Sequence, residues 1–271
     1  KGVPNTYIGT TIHRFAELDY IKGSGFKLYF ERNFKSIKIF ESINDSSRAM
    51  QILANLARAL AMQSRFREAL HYIHKAYGYS IRHNYPELYV SSAIIMSDCY
   101  SQIGIHDSAL AVLLPVEKSF PKEVDSLEIG VLYNNIGNAY CNSALYLKSA
   151  IYADKALSLF SRFPSHQEYD RAFSLGLKAV SYLKLGKLRE SEKLYLEAIE
   201  IFERLNQWTD LNSIYREMTE LEIKLGNKEG SLTYFMKHDS ISTLIYNESN
   251  SNSISEMKTL FETEKKEQQN K

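Results

Sequence analysis

Cysteine, proline and glycine are scarce in this sequence, and each shortage excludes something. The only cysteines are Cys99 and Cys141, which are too few for a disulfide scaffold. Five prolines and twelve glycines among 271 residues suit long helices better than many short strands. No apolar run reaches the length of about 18 residues that a membrane-spanning helix needs. The opening residues, KGVPNTYIGT, lack the apolar core of a signal peptide, which leaves the cellular compartment open.

An excess of charge of either sign is missing too. The chain carries 33 basic and 32 acidic residues, for a net charge of +1, and both signs are dispersed along it. Proteins that bind nucleic acids cluster lysine and arginine to displace counterions, so we expect no nucleic-acid binding through this region. Hydrophobic residues make up 44% and charged residues 24%, which is typical of soluble globular proteins and argues against global disorder.

What the sequence does contain is an internal repeat. One large, mostly aromatic residue recurs at intervals of 40, 40, 40 and 42 residues, at Tyr20, Leu60, Tyr100, Tyr140 and Tyr182. Mostly small residues stand three positions earlier, at Glu17, Ala57, Ser97, Gly137, Ala179 and Thr219. Glycine, serine or alanine stands four positions later, at Ser24, Ser64, Gly104, Ala144, Gly186 and Gly226. Small side chains let two helices approach closely, and these later positions suit the turn between them. The last repeat departs from the pattern, with Glu222 where an aromatic residue belongs.

The period predicts an all-α fold. We expect an α-α superhelix, a right-handed solenoid of about six helical hairpins over residues 1–247, because a lone hairpin cannot bury its apolar face. The predicted repeats lie near residues 6–43, 46–83, 86–123, 125–163, 167–205 and 208–247. Residues 248–271 are predicted to form a polar break followed by a C-terminal capping or linker helix.

The fourth repeat resembles the tetratricopeptide repeat (TPR), in its longer variant of about forty residues. The likeness rests on Tyr133, Ile136, Gly137, Tyr140 and Ala156. It implies that the first helices of the hairpins line a concave groove, which binds a protein or peptide. The groove positions carried over to this chain are Arg58, Asp98, Asn134, Asn138 and Arg216.

Two of these groove candidates share one helix face. Asn134 and Asn138 are four residues apart, so both amides could hold an extended peptide backbone. The corresponding positions Ile94 and Gly176 cannot supply the polar groups of a carboxylate clamp, which argues against recognition of a peptide C-terminus. The alternative interpretation is that the candidates are ordinary solvated polar residues.

Reactive residues do not converge in this sequence. His71 and His74 share a helix face, but no third ligand at matching spacing joins them, so solvent exposure is favoured over a metal site. The stretch GNKEGS at 226–231 lacks the lysine and the preceding strand of a phosphate loop and is interpreted as a hairpin turn. Both cysteines are interpreted as buried small residues rather than as a disulfide or a reactive thiol. We therefore expect no enzyme activity, no metal and no cofactor.

The tail, HDSISTLIYNESNSNSISEMKTLFETEKKEQQNK, is the more discriminating feature. Together with the repeats it resembles bacterial membrane-anchored TPR regulators, in which a charged helix and one transmembrane segment link an exported array to a histidine-kinase or helix-turn-helix output. The resemblance implies an extracytoplasmic sensor portion, periplasmic and anchored to the inner membrane by a segment outside this chain. Its stripe of Ile254, Met257 and Phe261 is a candidate homodimer contact. The alternative is a soluble intracellular TPR scaffold in the cytoplasm.

Overall fold

The structure, a computed structural model, is helical throughout its described part. It describes residues 4–21, 26–119, 126–162 and 167–247, and no strand occurs in these ranges. The predicted all-α fold is therefore confirmed. The predicted polar break and helix at 248–271 lie outside the described residues and stay predictions.

Twelve helices can be followed along the described ranges, and within each of two compact units consecutive helices pack against each other. They are α1 (Asn5–Ile21), α2 (Phe26–Ser42), α3 (Ser46–Met62), α4 (Phe66–His83), α5 (Pro86–Gln102), α6 (His106–Lys118), α7 (Ser126–Asn142), α8 (Tyr146–Phe160), α9 (Glu168–Lys184), α10 (Leu188–Arg204), α11 (Trp208–Leu225) and α12, which covers 228–247. The chain divides into two compact units, an N-terminal unit (Lys1–Val124) and a C-terminal unit (Asp125–Lys271).

Five of the turns inside hairpins share one backbone geometry, and the predicted turn residue Ser24 lies outside the described residues. The predicted turn residues Ser64, Gly104, Ala144, Gly186 and Gly226 all have positive φ, between 57° and 79°. At each turn the next N–H bonds the carbonyl five residues back, as from Leu145 to Tyr140 at 2.9 Å. This is the Schellman ending of a helix, which needs one left-handed residue and therefore favours glycine or another small residue.

The N-terminal unit has its core between the first and second helices of its hairpins. This core includes five residues that are at most 2% exposed: Ala57 and Leu60 on α3, Ile73 and Ala76 on α4, and Met96 on α5. The first helices α3 and α5 also contact each other directly. Each hairpin thus buries its apolar face against the next, as the repeat requires.

The C-terminal unit is packed in the same way, with small residues where helices cross. Gly137 on α7 leaves so little space that a Cβ there would lie 2.8 Å from Cδ2 of Leu177 on α9. It would also lie 3.3 Å from the carbonyl oxygen of Ser149 on α8. Ala179 occupies the equivalent position on α9 and is fully buried. None of the described helices is both long and apolar enough to cross a bilayer.

Candidate functional site

The candidate site is the set of side chains on the first helices of the hairpins that do not enter the core. In the N-terminal unit these helices are α1, α3 and α5, of which α3 and α5 contact each other. In the C-terminal unit they are α7, α9 and α11, where α9 contacts both of its neighbours. We call these surfaces the first-helix faces, one in each unit, and describe each by itself.

Arg58 and Asp98 form the polar part of the first-helix face in the N-terminal unit. Arg58 lies on α3 and Asp98 on α5, and both side chains are exposed. The protein around Asp98 nevertheless displaces much of its hydration, and this desolvation raises the pKa of the carboxyl group from 3.8 to about 7, although the positive charge of Arg58 acts in the opposite direction. Near neutral pH this carboxyl group is therefore divided between its neutral and charged forms, and it can donate or accept a hydrogen bond.

The raised pKa of Asp98 predicts a pH dependence of stability. A carboxyl group with a higher pKa in the folded protein stabilises the fold below the unfolded value, and this contribution is lost as pH rises from about 4 to about 7. We expect Asp98→Asn to reduce the loss of stability between pH 5 and pH 8, measured by urea unfolding at both values. Asp239→Asn, at another exposed aspartate, is the control and should keep the wild-type dependence. An Asp98→Asn protein with the wild-type pH profile would contradict the assignment.

Asn134 does not lie on the surface, which corrects the prediction for this residue. It is 3% exposed, and both ends of its amide are used inside the C-terminal unit. Its Nδ2 donates to the backbone carbonyl of Asp170 at 3.1 Å, and its Oδ1 accepts from the hydroxyl of Ser174 at 2.7 Å. Asn134 therefore ties α7 to α9 and is not available to a peptide.

Asn138, one turn further along α7, remains a candidate. It is half-buried, and its amide makes no hydrogen bond with any described residue. An amide offers one acceptor and two donor hydrogens, which can pair with the N–H and C=O of an extended peptide. The two asparagines that share a face in sequence thus have different roles in the structure.

A network of ion pairs covers the first-helix face between α9 and α11. Lys184 Nζ lies 2.6 Å from Oε2 of Glu220, and Lys224 Nζ lies 2.8 Å from its Oε1. Hydrogen bonds from Lys184 and then from Lys224 lower the pKa of Glu220. Glu217 also lies 3.9 Å from Lys184, so two glutamates balance the two lysines, and the exposed Arg216 beside them gives the patch its excess of positive charge.

Arg216, a predicted groove residue, lies at the edge of this network. Its side chain is 68% exposed and contacts Oε1 of Glu217 at 3.1 Å. The other oxygen of Glu217, Oε2, is buried, makes no hydrogen bond with a described residue and lies 3.9 Å from Nζ of Lys184. Arg216 therefore presents most of its guanidinium donors to solvent, where a carboxylate of a ligand could accept them.

Cys99 is buried and Cys141 is half-buried, while the paired histidines are exposed, as the sequence predicts. Burial raises the pKa of Cys99 to about 12, and burial also raises the pKa of the Cys141 thiol, so neither favours the reactive thiolate. Both thiols are free. His74 contacts the hydroxyl of Tyr100 at 3.0 Å, and His71 packs against the ring of Tyr72. No group of three or more metal-ligating side chains occurs in the described parts of the chain.

Sequence reasoning missed Lys184, Glu220 and Lys224, although a signal for one of them was present. Arg58, Asp98 and Asn138 share one register of the repeat, and the same register in the last repeat falls on Glu220. Continuing that register to the end of the array would have identified Glu220. The two lysines lie in the last turns of α9 and α11, where a basic residue also has the general role of stabilising the end of a helix.

Comparison with known proteins agrees with this architecture. Residues 128–204 match the family model of the tetratricopeptide repeat. The sequence matches no curated protein. The hairpins α7–α8 and α9–α10, which span the matched residues, are therefore TPR-like repeats.

Solved structures with the same fold cover most of the chain. The apo form of RapI superposes with a TM-score of 0.70 at 15% identity, over 91% of this chain and 87% of RapI. A Rap protein complexed with competence and sporulation factor gives a TM-score of 0.63 at 12% identity, over 91% and 78%. A putative kinesin light chain of Podosopora anserina with nearly identical TPR-like repeats gives 0.54 at 13% identity, over 72% and 96%. At these identities the likeness shows the fold alone.

Proposed function

We propose that the chain binds a protein or peptide, and that an extended peptide segment lies on the first-helix face of the C-terminal unit. The observation that carries this proposal is the row of polar groups across three stacked helices: the amide of Asn138 on α7, Lys184 on α9, and Arg216 and Lys224 on α11. A solved Rap protein of the same fold holds competence and sporulation factor, which supports ligand binding by such an array.

The spacing of the helices sets the length of the ligand. Packed helices lie about 8–10 Å apart, so α7 and α11, separated by α9, are about 20 Å apart. An extended chain rises about 3.3 Å per residue, so about six residues cross this distance. Asn138 pairs with the peptide backbone, while Arg216 and Lys224 receive an acidic side chain near the other end. The ligand is therefore an extended segment with an acidic group about five residues from the position held by Asn138.

The test is selection of peptides on the purified protein followed by calorimetric titration of the best binder. We expect Arg216→Ala to weaken binding at least about tenfold, since a hydrogen bond to a charged group contributes roughly 1.5–3 kcal/mol. Asn138→Ala should weaken it by up to about tenfold, since a hydrogen bond between neutral groups contributes roughly 0.5–1.5 kcal/mol. Lys193→Ala is the matched control, because Lys193 is exposed on the second helix α10. Unchanged affinity in the Asn138 and Arg216 variants would reject this face as the site.

We further propose that the chain binds its partner without catalysing a reaction. Its first-helix faces carry amides and ion pairs, and the polar groups described on them include no nucleophile paired with a base. Turnover of a bound peptide that a single substitution abolishes would overturn this proposal.

The tail supports a more specific role, which we also propose: the sensor portion of a membrane-anchored signalling or transcription regulator, in the periplasm. The charged sequence ETEKKEQ after the repeats carries the resemblance on which this role rests. Ligand binding would shift the population of two states, which requires different affinities for them.

The competing role is a cytoplasmic scaffold. Alkaline phosphatase fused after the repeats in the full gene product is expected to be active, and an inactive fusion would favour the scaffold.

A further inference from the structure

A second polar site lies away from the first-helix faces, between α11 and the start of α12. It is a cavity of about 360 Å³ that is open to solvent on one side. Its lining includes Glu222, Asn227, Gly230, Thr233, Tyr234 and Lys237. The proposed peptide face needs none of these residues, so the two sites can be tested independently.

One wall of the cavity is formed by a largely buried glutamate of α11. Glu222 is 4% exposed, and its carboxylate makes no hydrogen bond or ion pair with any residue that the structure describes. It packs against Gly230, where an added Cβ would lie 2.8 Å from Oε2 of Glu222. The N–H of Gly230 donates to Oδ1 of Asn227 at 3.0 Å and not to Glu222. The carboxylate oxygens line the open cavity, where solvent can reach them, and the described residues supply no hydrogen bond or counter-charge to them.

This carboxylate is also out of place in the repeat. The position of Glu222 is occupied by Leu60, Tyr100, Tyr140 and Tyr182 in other repeats, where it carries a large packing side chain. In the last repeat a charge replaces that side chain, and a cavity adjoins it. Replacing a large packing side chain with glutamate loses apolar packing. A bound group that interacts with the glutamate would explain this loss.

The charges around the cavity favour a cation. Burial, and then the negative charges of Glu222, Glu192 and Glu203, raise the pKa of Tyr234. Lys237 is already engaged, because its Nζ lies 3.9 Å from Oε1 of Glu203 and 5.7 Å from the ring centre of Tyr234.

Two acids at the cavity form no ion pair with the described residues, although Lys237 also lines the cavity. Glu229 lines the cavity beside Glu222, and neither forms an ion pair there. The partial positive charge at the N-terminal end of α12 offsets part of the charge on Glu222 but supplies no hydrogen bond to it. An anion would meet two carboxylates here, and a metal ion would lack a third ligand among the described residues. An organic cation with several N–H donors fits the remaining acceptors.

We propose that the cavity between α11 and α12 binds a primary ammonium group on an aliphatic stem, the side chain of lysine. Glu222 accepts N–H bonds from the ammonium, Glu229 adds charge at the entrance, and the ring of Tyr234 packs along the stem. A positive charge near an aromatic face is attracted to it, which Lys237 already shows at the same ring. A Cβ at Gly230 would lie 2.5 Å from Nδ2 of Asn227 and 2.8 Å from Oε2 of Glu222, so a side chain there would shift these two flexible groups.

The test titrates the isotope-labelled full chain with Nα-acetyl-lysine methylamide and follows the backbone amides by NMR. We expect saturable shifts at Gly230 and Thr233. The same probe acetylated on Nε, which is neutral, should cause none. Glu222→Gln keeps the shape of the side chain and should weaken binding at least tenfold. Glu190→Gln, at an exposed glutamate of α10, should leave it unchanged.

Equal shifts from the charged and the neutral probe, or binding that survives Glu222→Gln, would overturn the proposal. If the Glu222→Gln variant does not fold, the comparison of the charged and the neutral probe on the wild-type protein still tests the proposal. A further variant identifies the source of the lysine: it carries glutamine in place of Lys258, Lys265, Lys266 and Lys271. If probe affinity rises in that variant, the chain's own tail supplies the lysine; if it does not change, a partner protein or peptide does.

Discussion

Replacing Gly137 with leucine is expected to lower the free energy of unfolding by about 1–3 kcal/mol, the usual effect of overfilling a packed core. In a protein of this size, 1 kcal/mol corresponds to about 2–4 °C in melting temperature. Thermal unfolding followed by far-ultraviolet circular dichroism measures the change. Gly137 belongs to the series of small residues that marks the repeat in the sequence.

The effect is large because three helices meet at Gly137. A Cβ there would lie 2.8 Å from Cδ2 of Leu177, and 3.3 Å from both the carbonyl oxygen of Ser149 and Cβ of Tyr152. The Leu177 methyl can shift, but the backbone oxygen of α8 can move only if the hairpin opens. A leucine therefore forces α7 and α8 apart, and this separation also disturbs the contact with α9.

Gly78 supplies the matched control. It lies inside α4, and a Cβ added there meets nothing within 4 Å. Gly78→Ala should raise stability by up to about 1 kcal/mol, the difference in helix propensity between the two residues. If Gly137→Leu melted at the wild-type temperature, the close helix crossing would be refuted.

The sequence predicts well the features that recur from repeat to repeat and depend on local backbone geometry. Ser64, Gly104 and Ala144 were placed at turns because small residues recur there, and each has the positive φ that the Schellman ending requires. Alanine and serine are poorer than glycine in this conformation, so the spacing was a stronger signal than residue type. The helical period and the turn positions suffice for the hairpins because neither depends on distant partners.

The candidate site depends on contacts between residues that are far apart in the chain, and the sequence predicts such contacts less well. Asn134 and Asn138 look equivalent on one helix, yet the residues that bond Asn134 lie 36 and 40 positions further along the chain. The ion pair between Lys184 and Glu220 joins residues 36 apart. Glu222 was visible as a departure from the pattern, but only the structure shows the cavity beside it.

Asn134 leads to the second large expected effect, which separates a structural from a binding amide. Asn134→Ala removes the hydrogen bonds to Asp170 and Ser174 and leaves a small void between α7 and α9. Loss of a buried hydrogen-bonding partner costs about 1–3 kcal/mol, so urea unfolding should show a clear fall in stability. Asn138→Ala, whose amide bonds no described residue, should stay within about 0.5 kcal/mol of the wild type.

A double-mutant cycle with Ser174→Ala tests the contact itself. The hydroxyl of Ser174 lies 2.7 Å from Oδ1 of Asn134 and 2.8 Å from the carbonyl oxygen of Asp170, and it can donate to either. Each single variant breaks the shared bond, so the double variant should lose less stability than the sum of the two, by about 0.5–1.5 kcal/mol. Strict additivity would mean that the bond between α7 and α9 contributes nothing.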